Sequence, residues 1–484
     1  FGASVMEFIS LKSPERMEKL RALGKLQGTA DALQEGIPAK TPASRFARPE
    51  RPAGLDPRQV ICLIDANKFY CACERVIDPS LRGKPLVVLT NNDGCVAALT
   101  PEAKALGIRR GMPAYQFRRL VKEGKVEWRS SNYELYGSVS KNIAAILTGM
   151  AVRIERYSID ENFVDITGIP GDPTALGRAM KERIYAWQRI PACVGIANTK
   201  TLAKLANHLA KDWPVFGGVI NWLDLAPHRQ EKAMSITPLK EVWGIGSRMG
   251  EALQALGIQT VLDFWKMDPL FIRARWGVVL ERTWRELHGI PCIPFDEEAA
   301  PREQIIRSRS FGRPVTDLAS LTAAVSQHMA DAAMTLRQQK SAAGEAGVFF
   351  HTNFFRGDLP QHNVSRVVKL PIPTSDTLLL TRVAVGLVER FRREGFAYQK
   401  AGVILSGIAP EASADIPETL FSDAPDPEKE RRRALMETLD GLVRIYGRGI
   451  VTTASTQLAS GWEARHEKLS RCYLTRREEI LRAH

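Results

Sequence analysis

Short apolar runs alternate with amphipathic segments over about residues 60–236. The runs that have the length and composition of strands are residues 60–64, 85–89, 151–159 and 191–197. After the last run, Leu202, Leu205 and Leu209 recur on one side of a predicted helix. Strands that alternate with helices predict an α/β or α+β domain built around a central sheet.

The pattern changes on both sides of this region. Residues 1–58 predict an accessory helix followed by a Pro- and Arg-rich linker. Residues 237–300 predict helices, and residues 301–410 return to strand-like alternation. Residues 411–427 have the composition of an acidic linker, and residues 428–484 predict a basic helical tail.

Composition narrows the class of protein. A length of 484 residues predicts about three domains. The chain has 67 Lys plus Arg against 54 Asp plus Glu, and the resulting charge of +13 suggests a polyanionic partner. No uncharged stretch is long enough to span a bilayer as a helix, so no membrane partner is expected. Seven scattered cysteines without zinc-site spacing indicate reduced thiols, and no signal peptide is visible, so we expect a cytoplasmic protein.

Acidic residues follow two of the predicted strands. Asp65 ends the first run, and Asp160 with Glu161 follows the third. If these strands are neighbours, three carboxylates meet and repel one another unless a cation neutralises them. Mg²⁺ suits such oxygen ligands, and two ions can activate a hydroxyl and stabilise a leaving phosphate. The alternative is that these residues are ordinary turn formers at strand ends.

Several separated segments carry a family resemblance. They are DANKFYCACE, GKPLVVLTNNDGCVAALTPEAKALGI, SSNYELYGSVS, YSIDENFVDITG, VGIANTKTLAKLAN and VWGIG. Together they resemble the Y-family DNA polymerases, most closely the UmuC type, which is the catalytic subunit of DNA polymerase V. The resemblance runs from about residue 60 to the C-terminus.

The resemblance implies an α+β, multidomain, right-hand polymerase. A palm sheet with helices is expected at residues 59–236, with small fingers inserted at about 69–134. A helical thumb with a helix-hairpin-helix is expected at 237–300 and an α/β little finger at 301–410, followed by the acidic linker and the helical C-terminal tail.

Residue roles follow from the same resemblance. Asp65, Asp160 and Glu161 match the carboxylates that bind two Mg²⁺ ions and carry catalysis. Tyr70, in the Phe69-Tyr70 pair, matches the steric gate, an aromatic wall under the sugar that excludes a 2′-hydroxyl. The alternative for this pair is a core contact at the start of a helix.

Two lysines match basic positions that hold the incoming triphosphate. They are Lys104 and Lys204, and the alternative for each is a solvated helix face. Gly244 and Gly246 match the hairpin of the thumb, where backbone N–H groups can approach a DNA phosphate. The alternative for these two glycines is a simple turn.

Basic residues are also expected to contact DNA from the little finger. Residues 301–410 hold 14 Lys or Arg against 8 Asp or Glu. Arg307, Arg309 and Arg313 lie on or near an alternating strand, which places Arg307 and Arg309 on the face opposite Ile306 and Ser308. The alternative is a solvated sheet face.

One short peptide matches the family only in part, and three positions differ from the family pattern. Leu420-Phe421 retains only the end of a sliding-clamp peptide, so clamp binding stays open. Leu99-Thr100-Pro101 stands where related sequences carry Arg-Asn, Asn162 replaces a small residue, and Lys68 adds charge near Asp65. These departures bear on rate and base preference.

The expected function is template-directed, error-prone translesion synthesis in the SOS DNA-damage response. A primer 3′-OH on damaged primer–template DNA attacks a dNTP. The resemblance further implies a UmuD-type accessory dimer, RecA and the sliding clamp as partners. Two alternatives are a catalytically weak polymerase-like protein that binds DNA and the clamp, and a metal-dependent nuclease.

Overall fold

A computed structural model describes residue 56 and residues 58–296, 301–411, 427–447, 449–457, 459–474, 476 and 479–480. The predicted accessory helix and its linker, most of the acidic linker, and the clamp peptide at Leu420 and Phe421 lie outside these residues. The described residues contain no helix that is long and apolar enough to cross a membrane.

A five-stranded sheet forms the centre of the first half of the chain. Its strands, in the order β5-β6-β1-β7-β8, are β5 Arg153–Arg156, β6 Glu161–Asp165, β1 Ile61–Ala66, β7 Ala192–Ala197 and β8 Val219–Asn221. Strand β1 pairs antiparallel with β6 and β7, and all six of its residues are buried because apolar clusters lie on both faces of the sheet. Alternate residues of β1 enter two different apolar clusters, as the period of two requires.

Helices cover both faces of this sheet. The helices of the first half of the chain are α1 Phe69–Ile77, α2 Pro101–Ala105, α3 Arg118–Lys122, α4 Tyr133–Thr148, α5 Pro173–Gln188, α6 Lys200–Asp212 and α7 Pro227–Ile236. Of these, α2 and α3 pack against a smaller sheet instead. Buried residues of α1, α4 and α5 pack on one face, and those of α6 pack on the other. A central sheet is therefore present, but it contains only three of the four predicted runs, because residues 86–89 form a strand of a separate sheet.

Helix α6 lies unusually close to the sheet because of Gly195. A Cβ atom at Gly195 would lie 2.1 Å from the carbonyl oxygen of Ala203 and 2.2 Å from the amide nitrogen of Asn207. The Asn207 side chain donates to the carbonyls of Leu63 and Cys193 at 3.2 and 2.8 Å. These contacts fix the position of α6 on the sheet, and with it the positions of the lysine side chains that α6 carries.

A smaller sheet lies within residues 79–130. Its strands, in the order β3-β2-β4, are β3 Val96–Leu99, β2 Leu86–Leu89 and β4 Glu127–Ser130. It surrounds its own apolar cluster, which includes Val87, Ile108 and Phe117. This is the part of the chain where small fingers were expected.

The region after residue 236 is helical, as predicted. Its helices are α8 Ser247–Gln254, α9 Val261–Trp265, α10 Pro269–Trp276 and α11 Val278–Leu287, preceded by a 3₁₀ turn at Leu239–Glu241. Gly244 has φ +92°, a conformation that favours glycine. Gly246 is the N-cap residue of α8.

A four-stranded sheet follows in the order β11-β10-β12-β9. The strands are β9 Ile305–Val315, β10 Ser341–Thr352, β11 Asn363–Thr374 and β12 Tyr398–Pro410. Helices α12 Leu318–Gln338 and α13 Thr377–Phe391 cover one face. Ile305, Phe311 and Val315 of β9 are buried in the cluster on that face.

The prediction that Arg307 lies on the open face of β9 is wrong. Arg307 lies on the same side of β9 as the buried Ile305 and donates to the hydroxyl of Thr335 on α12 at 2.8 Å, whereas Arg309 and Arg313 are exposed. Ile306, expected on the covered face, is half exposed. Alternation in β9 separates the two faces correctly, but it does not say which face the helices cover.

The C-terminal tail is helical only in its first part. Helix α14 spans Pro427–Tyr446, and its Asp440 accepts two hydrogen bonds from Arg337, each of 2.7 Å. The described residues after α14 contain one short 3₁₀ turn, Ala454–Gln457, and otherwise irregular chain. The prediction of a helical tail over residues 428–484 is therefore wrong for most of its second half.

Replacing Gly195 tests how strongly the fold depends on the close approach of α6. Gly195→Ala is expected to destabilise the protein by about 2 kcal/mol or more, because a methyl group would overlap the helix backbone. The matched control is Gly137→Ala inside α4, where a Cβ meets nothing within 4 Å. The control should raise stability by about 0.5–1 kcal/mol. Denaturant unfolding measures both, and equal effects would contradict this role of Gly195.

Candidate active site

The sheet brings the three predicted carboxylates to one place. Asp65, near the end of β1, lies directly across from Glu161 in the antiparallel pairing of β1 with β6. The Ala66 amide donates to the carbonyl of Asp160 at 2.9 Å, and Ser158 Oγ donates to the Asp160 carboxylate at 2.7 Å. Residues that face each other across two strands share one side of the sheet, so Asp65 and Glu161 share one surface.

One detail of this prediction is wrong. Asp160 and Glu161 do not end the strand that begins near residue 151. That strand, β5, ends at Arg156, and Glu161 opens the following strand, β6. The acids meet because the turn between β5 and β6 places Asp160 beside the end of β1.

Two lysines of α6 neutralise part of this negative charge. Lys204 Nζ donates to both carboxylate oxygens of Glu161, at 2.6 and 2.7 Å. Lys211 Nζ lies 2.6 Å from a carboxylate oxygen of Asp65. Lys204 also lies 4.8 Å from the centre of the Tyr157 ring.

Lys211 is a functional candidate that the sequence analysis missed. It follows Lys204 by seven residues, which is two helical turns, so both side chains leave the same face of α6. That spacing was the available signal. Lys200 lies one turn before Lys204, but it is buried against Glu155 and donates to the carbonyl of Pro294 at 2.5 Å.

Asp65 is buried and electrostatically strained. Burial raises its pKa to about 6, while the Lys211 ammonium opposes this shift and the charges of Glu161 and Asp160 add to it. The ionised form of Asp65 therefore carries an unfavourable charge in the folded protein at neutral pH. A cation that binds Asp65 would relieve this cost.

The three carboxylates have the donor chemistry of a divalent-metal site. In the part of the chain that the structure describes, no group of three or more acidic, His or Cys side chains is close enough to hold a metal as it stands. Asp65 and Glu161 are turned to the ammonium groups of α6 instead. The carboxylate oxygens and the raised pKa of Asp65 fit a hard cation such as Mg²⁺.

An aromatic stack stands beside the acids. The Tyr70 ring stacks on Tyr136 with centroids 4.4 Å apart and planes 13° apart, and Tyr133 packs edge-on against both. Burial raises the pKa of Tyr70, and the charge of Asp160 adds to this shift, so the phenol lies within electrostatic reach of the acids. Phe69 is buried in the core, so of the predicted pair only Tyr70 has an accessible ring.

The buried face of this stack is hydrogen-bonded. Tyr136 donates its hydroxyl hydrogen to the buried Glu74 carboxylate at 2.6 Å, and burial raises the pKa of Glu74. Tyr136 therefore has little freedom to move. Tyr70 rests on a rigid aromatic support.

The other predicted contact residues are spread over the surface. Lys104 is exposed on α2, which Thr100 caps by accepting from the Ala103 amide at 3.4 Å. Arg309 and Arg313 are exposed on β9. Arg307 is bound to α12, so the structure does not place it on the open face that its predicted DNA contact required.

The three departures from the family pattern have clear positions. Pro101 starts α2 directly after the Thr100 cap. Asn162 is buried in β6 next to Glu161. Lys68 is exposed, with φ +50°, at the N-cap position of the helix that carries Tyr70.

Two stretches of this chain match one known protein family. Residues 64–208 match the model of the impB/mucB/samB family, and residues 302–417 match the C-terminal domain of the same family. The protein ImpB of Salmonella typhimurium is 41% identical over 87% of this chain and 99% of its own length. The protein UmuC of Salmonella typhimurium is 39% identical over 87% of this chain and all of its own length.

The chain belongs to the impB/mucB/samB family. This is the UmuC type of Y-family DNA polymerase, so the predicted family is confirmed. A solved Y-family DNA polymerase chimera, 23% identical, superposes with a TM-score of 0.56 over 72% of this chain and 99% of its own. That likeness confirms the predicted α+β polymerase fold. Residues 433–483 match a domain of unknown function.

The charge on Asp65 predicts a measurable stability cost. Since the pKa of Asp65 rises from 3.8 to about 6 on folding, its ionised form costs up to about 3 kcal/mol above pH 6, and this cost vanishes below pH 3.8. Asp65→Asn should therefore raise the unfolding temperature at pH 7 in EDTA. The gain should shrink as the pH falls to 4.

Another buried aspartate in the same sheet provides the control. Asp165 accepts from Arg153 at 2.8 Å and from Thr167 Oγ1 at 2.5 Å, so Asp165→Asn should lower the unfolding temperature. Adding Mg²⁺ should stabilise the wild type and leave Asp65→Asn unchanged. A destabilised Asp65→Asn variant at pH 7 would show that Asp65 is a structural ion pair with Lys211.

Proposed function

We propose that this chain catalyses template-directed transfer of a nucleotide from a dNTP to a primer 3′-OH, with Asp65, Asp160 and Glu161 as the catalytic carboxylates. Family membership supports the enzyme class, a DNA-directed DNA polymerase. The single observation that carries the finer statement is the meeting of these carboxylates with two lysines at the end of β1.

The carboxylates would hold two Mg²⁺ ions, which when bound lower the pKa of the primer hydroxyl and neutralise the leaving pyrophosphate. Asp65 supplies a carboxylate from a rigid, buried strand, and Ser158 orients Asp160 by a hydrogen bond. The chain itself needs no strong general base, because positioning and charge do most of the work in phosphoryl transfer.

The lysines of α6 have a second task in this proposal. Lys204 and Lys211 neutralise Glu161 and Asp65 in the free protein. When cations take the carboxylates, the two ammonium groups become available to the phosphates of the nucleotide. Both lysines then act as triphosphate ligands, with Lys104 as a further candidate on α2.

Tyr70 is proposed as the steric gate. Its ring stacks on Tyr136, and the charge of Asp160 contributes to the raised pKa of its hydroxyl. A rigid flat ring at this place leaves no room for a 2′-hydroxyl on the sugar. The buried Phe69 supports the start of α1 and has no accessible surface for this role.

We also propose a biological role in the tolerance of DNA damage. The resemblance to UmuC-type proteins supports synthesis past damaged template bases in the SOS response, in the cytoplasm. It also supports a UmuD-type dimer and RecA as partners. Gly244, Gly246, Arg309 and Arg313 are proposed to hold the DNA backbone.

Primer extension tests the assignment of the carboxylates. Asp160→Asn should lower the rate of extension with Mg²⁺ and dNTPs by about 10²-fold or more, because a charge on the reacting centre is lost. DNA binding should stay near the wild-type value. The matched control is Glu182→Gln, an exposed acid on α5. Wild-type extension by Asp160→Asn would refute the assignment, and Mg²⁺-dependent shortening of the primer would favour a nuclease.

Sugar selectivity tests the gate. Tyr70→Ala should raise the use of rNTPs relative to dNTPs by about 10- to 100-fold, since the wall against the 2′-hydroxyl is removed. Tyr185→Ala, an exposed tyrosine on α5, is the control and should leave selectivity unchanged. The measurement is kcat/KM for each nucleotide. An unchanged ratio in Tyr70→Ala would assign the gate elsewhere.

A further inference from the structure

The segment that matches a domain of unknown function runs across two parts of the molecule. We propose that residues 462–472, named here the strap, fix the four-stranded sheet against the three-stranded sheet and the helix that carries Tyr70. The strap would hold these parts in one arrangement while the enzyme works.

The strap begins in the core of the four-stranded sheet. The Trp462 side chain is buried there, edge-on to Phe311 of β9 at 6.3 Å and to His328 of α12 at 5.8 Å. The Gly312 amide donates to the carbonyl of Glu463 at 3.2 Å. A Cβ at Gly312 would lie 2.6 Å from that carbonyl oxygen, so the strand and the strap are in direct backbone contact.

Asn92 joins the strap to both sheets at once. It lies in the turn between β2 and β3, in a left-handed conformation with φ +61°. Its amide nitrogen donates to two successive carbonyls of β9, at 3.0 and 3.1 Å. Its amide oxygen accepts from the Arg465 amide at 2.8 Å. The neighbouring Asp93 accepts from the Glu467 amide at 2.9 Å.

The strap then follows the edge of the three-stranded sheet. The Ser130 amide donates to the carbonyl of Lys468 at 3.0 Å, and the Lys468 amide donates to Ser130 Oγ at 3.1 Å. Two residues further along both segments, the Asn132 side chain donates to the carbonyl of Ser470 at 2.9 Å. Because these bonds involve the strap backbone, they hold its path and not only its side chains.

The far end of the strap reaches the support of the candidate gate. Ser470 Oγ donates to the same Glu74 oxygen that accepts from Tyr136, at 3.1 Å. Glu74 lies on α1, the helix that carries Tyr70. Beyond the strap, Arg476 pairs with Glu134 at the start of α4 at 2.7 Å. Ser470 and Arg476 therefore contact the two helices that carry the aromatic stack.

This geometry has a functional consequence that rests on the proposed function. If the four-stranded sheet holds DNA and the carboxylates extend the primer, then the strap sets the distance between the DNA-binding sheet and the catalytic carboxylates. Releasing it should shorten the DNA made in each binding event. It should leave the addition of a single nucleotide largely intact, because the hydrogen bonds of the strap described above go to other residues, among them Asn92, Ser130 and Asn132, and not to the catalytic carboxylates.

A distance measurement tests the strap without requiring any catalysis. Spin labels are placed at Lys122→Cys on α3 and Glu389→Cys on α13, both exposed, in a Cys95→Ser background, since the other cysteines are buried. Double electron–electron resonance on the full chain should show one narrow distance in the otherwise wild-type protein.

Two variants weaken the strap from opposite sides. Asn92→Gly keeps the left-handed backbone and removes three hydrogen bonds. Ser470→Ala removes two, the one to Glu74 and the one that Ser470 Oγ accepts from the Asn132 side chain. Each lost bond should shift the balance toward released sheets by roughly two- to tenfold. The control Arg189→Gly makes the same kind of change at a left-handed helix end far from the strap.

The outcomes separate the strap from the proposed function. The strap would be supported by a second, longer distance in Asn92→Gly and by a smaller population of that longer distance in Ser470→Ala, with Arg189→Gly unchanged. This result would support the strap even if the protein extended no primer. A single narrow distance in both variants would overturn it, as would a broad distribution in the parent protein. Circular dichroism on each variant confirms that it is folded.

Discussion

The close approach of helix α6 to the backbone at Gly195 determines which charges meet at the candidate active site. A side chain at this position would overlap the helix, and the buried Asn207 amide locks the helix to two strands of the sheet. Lys204 and Lys211 then reach the carboxylates at the end of β1. The electrostatics of the site thus follow from one packing contact between a helix and a sheet.

Negative charge at the candidate site opposes the stability of the folded protein. Asp65 is ionised at neutral pH although burial raises its pKa, and its lysine partner offsets only part of the cost. Such strain is a common property of sites that bind cations. By contrast, Asp165 in the same sheet is fully hydrogen-bonded and has a structural role. The two buried aspartates therefore differ in their surroundings: Asp165 has hydrogen-bond donors that stabilise its charge, and Asp65 is only partly neutralised.

The three acids could be singled out from sequence because each lies next to an apolar run, but their meeting depends on β6, a strand that starts at Glu161 and pairs with β1. The three lysines of α6 show the limit. Lys200, Lys204 and Lys211 share a helix face by spacing, but only tertiary packing buries the first and brings the other two to the acids. Similarly, alternation in β9 gives two faces but does not reveal that α12 covers the face of Arg307.

The tail was the least predictable part of the chain. Its composition suggested helix, but residues 462–472 are held by hydrogen bonds to residues more than 300 positions away, which no local pattern encodes. The family match covers this segment without assigning it a role. The strap connects that segment to the aromatic support of Tyr70 through Glu74.

We propose that the lysines of α6 exchange the carboxylates for nucleotide phosphates when metal binds. A crystal structure with primer–template DNA, a non-hydrolysable dNTP analogue and Mg²⁺ tests this exchange. We expect metal density on Asp65, Asp160 and Glu161, with the ammonium groups of Lys204 and Lys211 on phosphate oxygens. Metal density elsewhere, or both lysines still paired with Glu161 and Asp65, would contradict it.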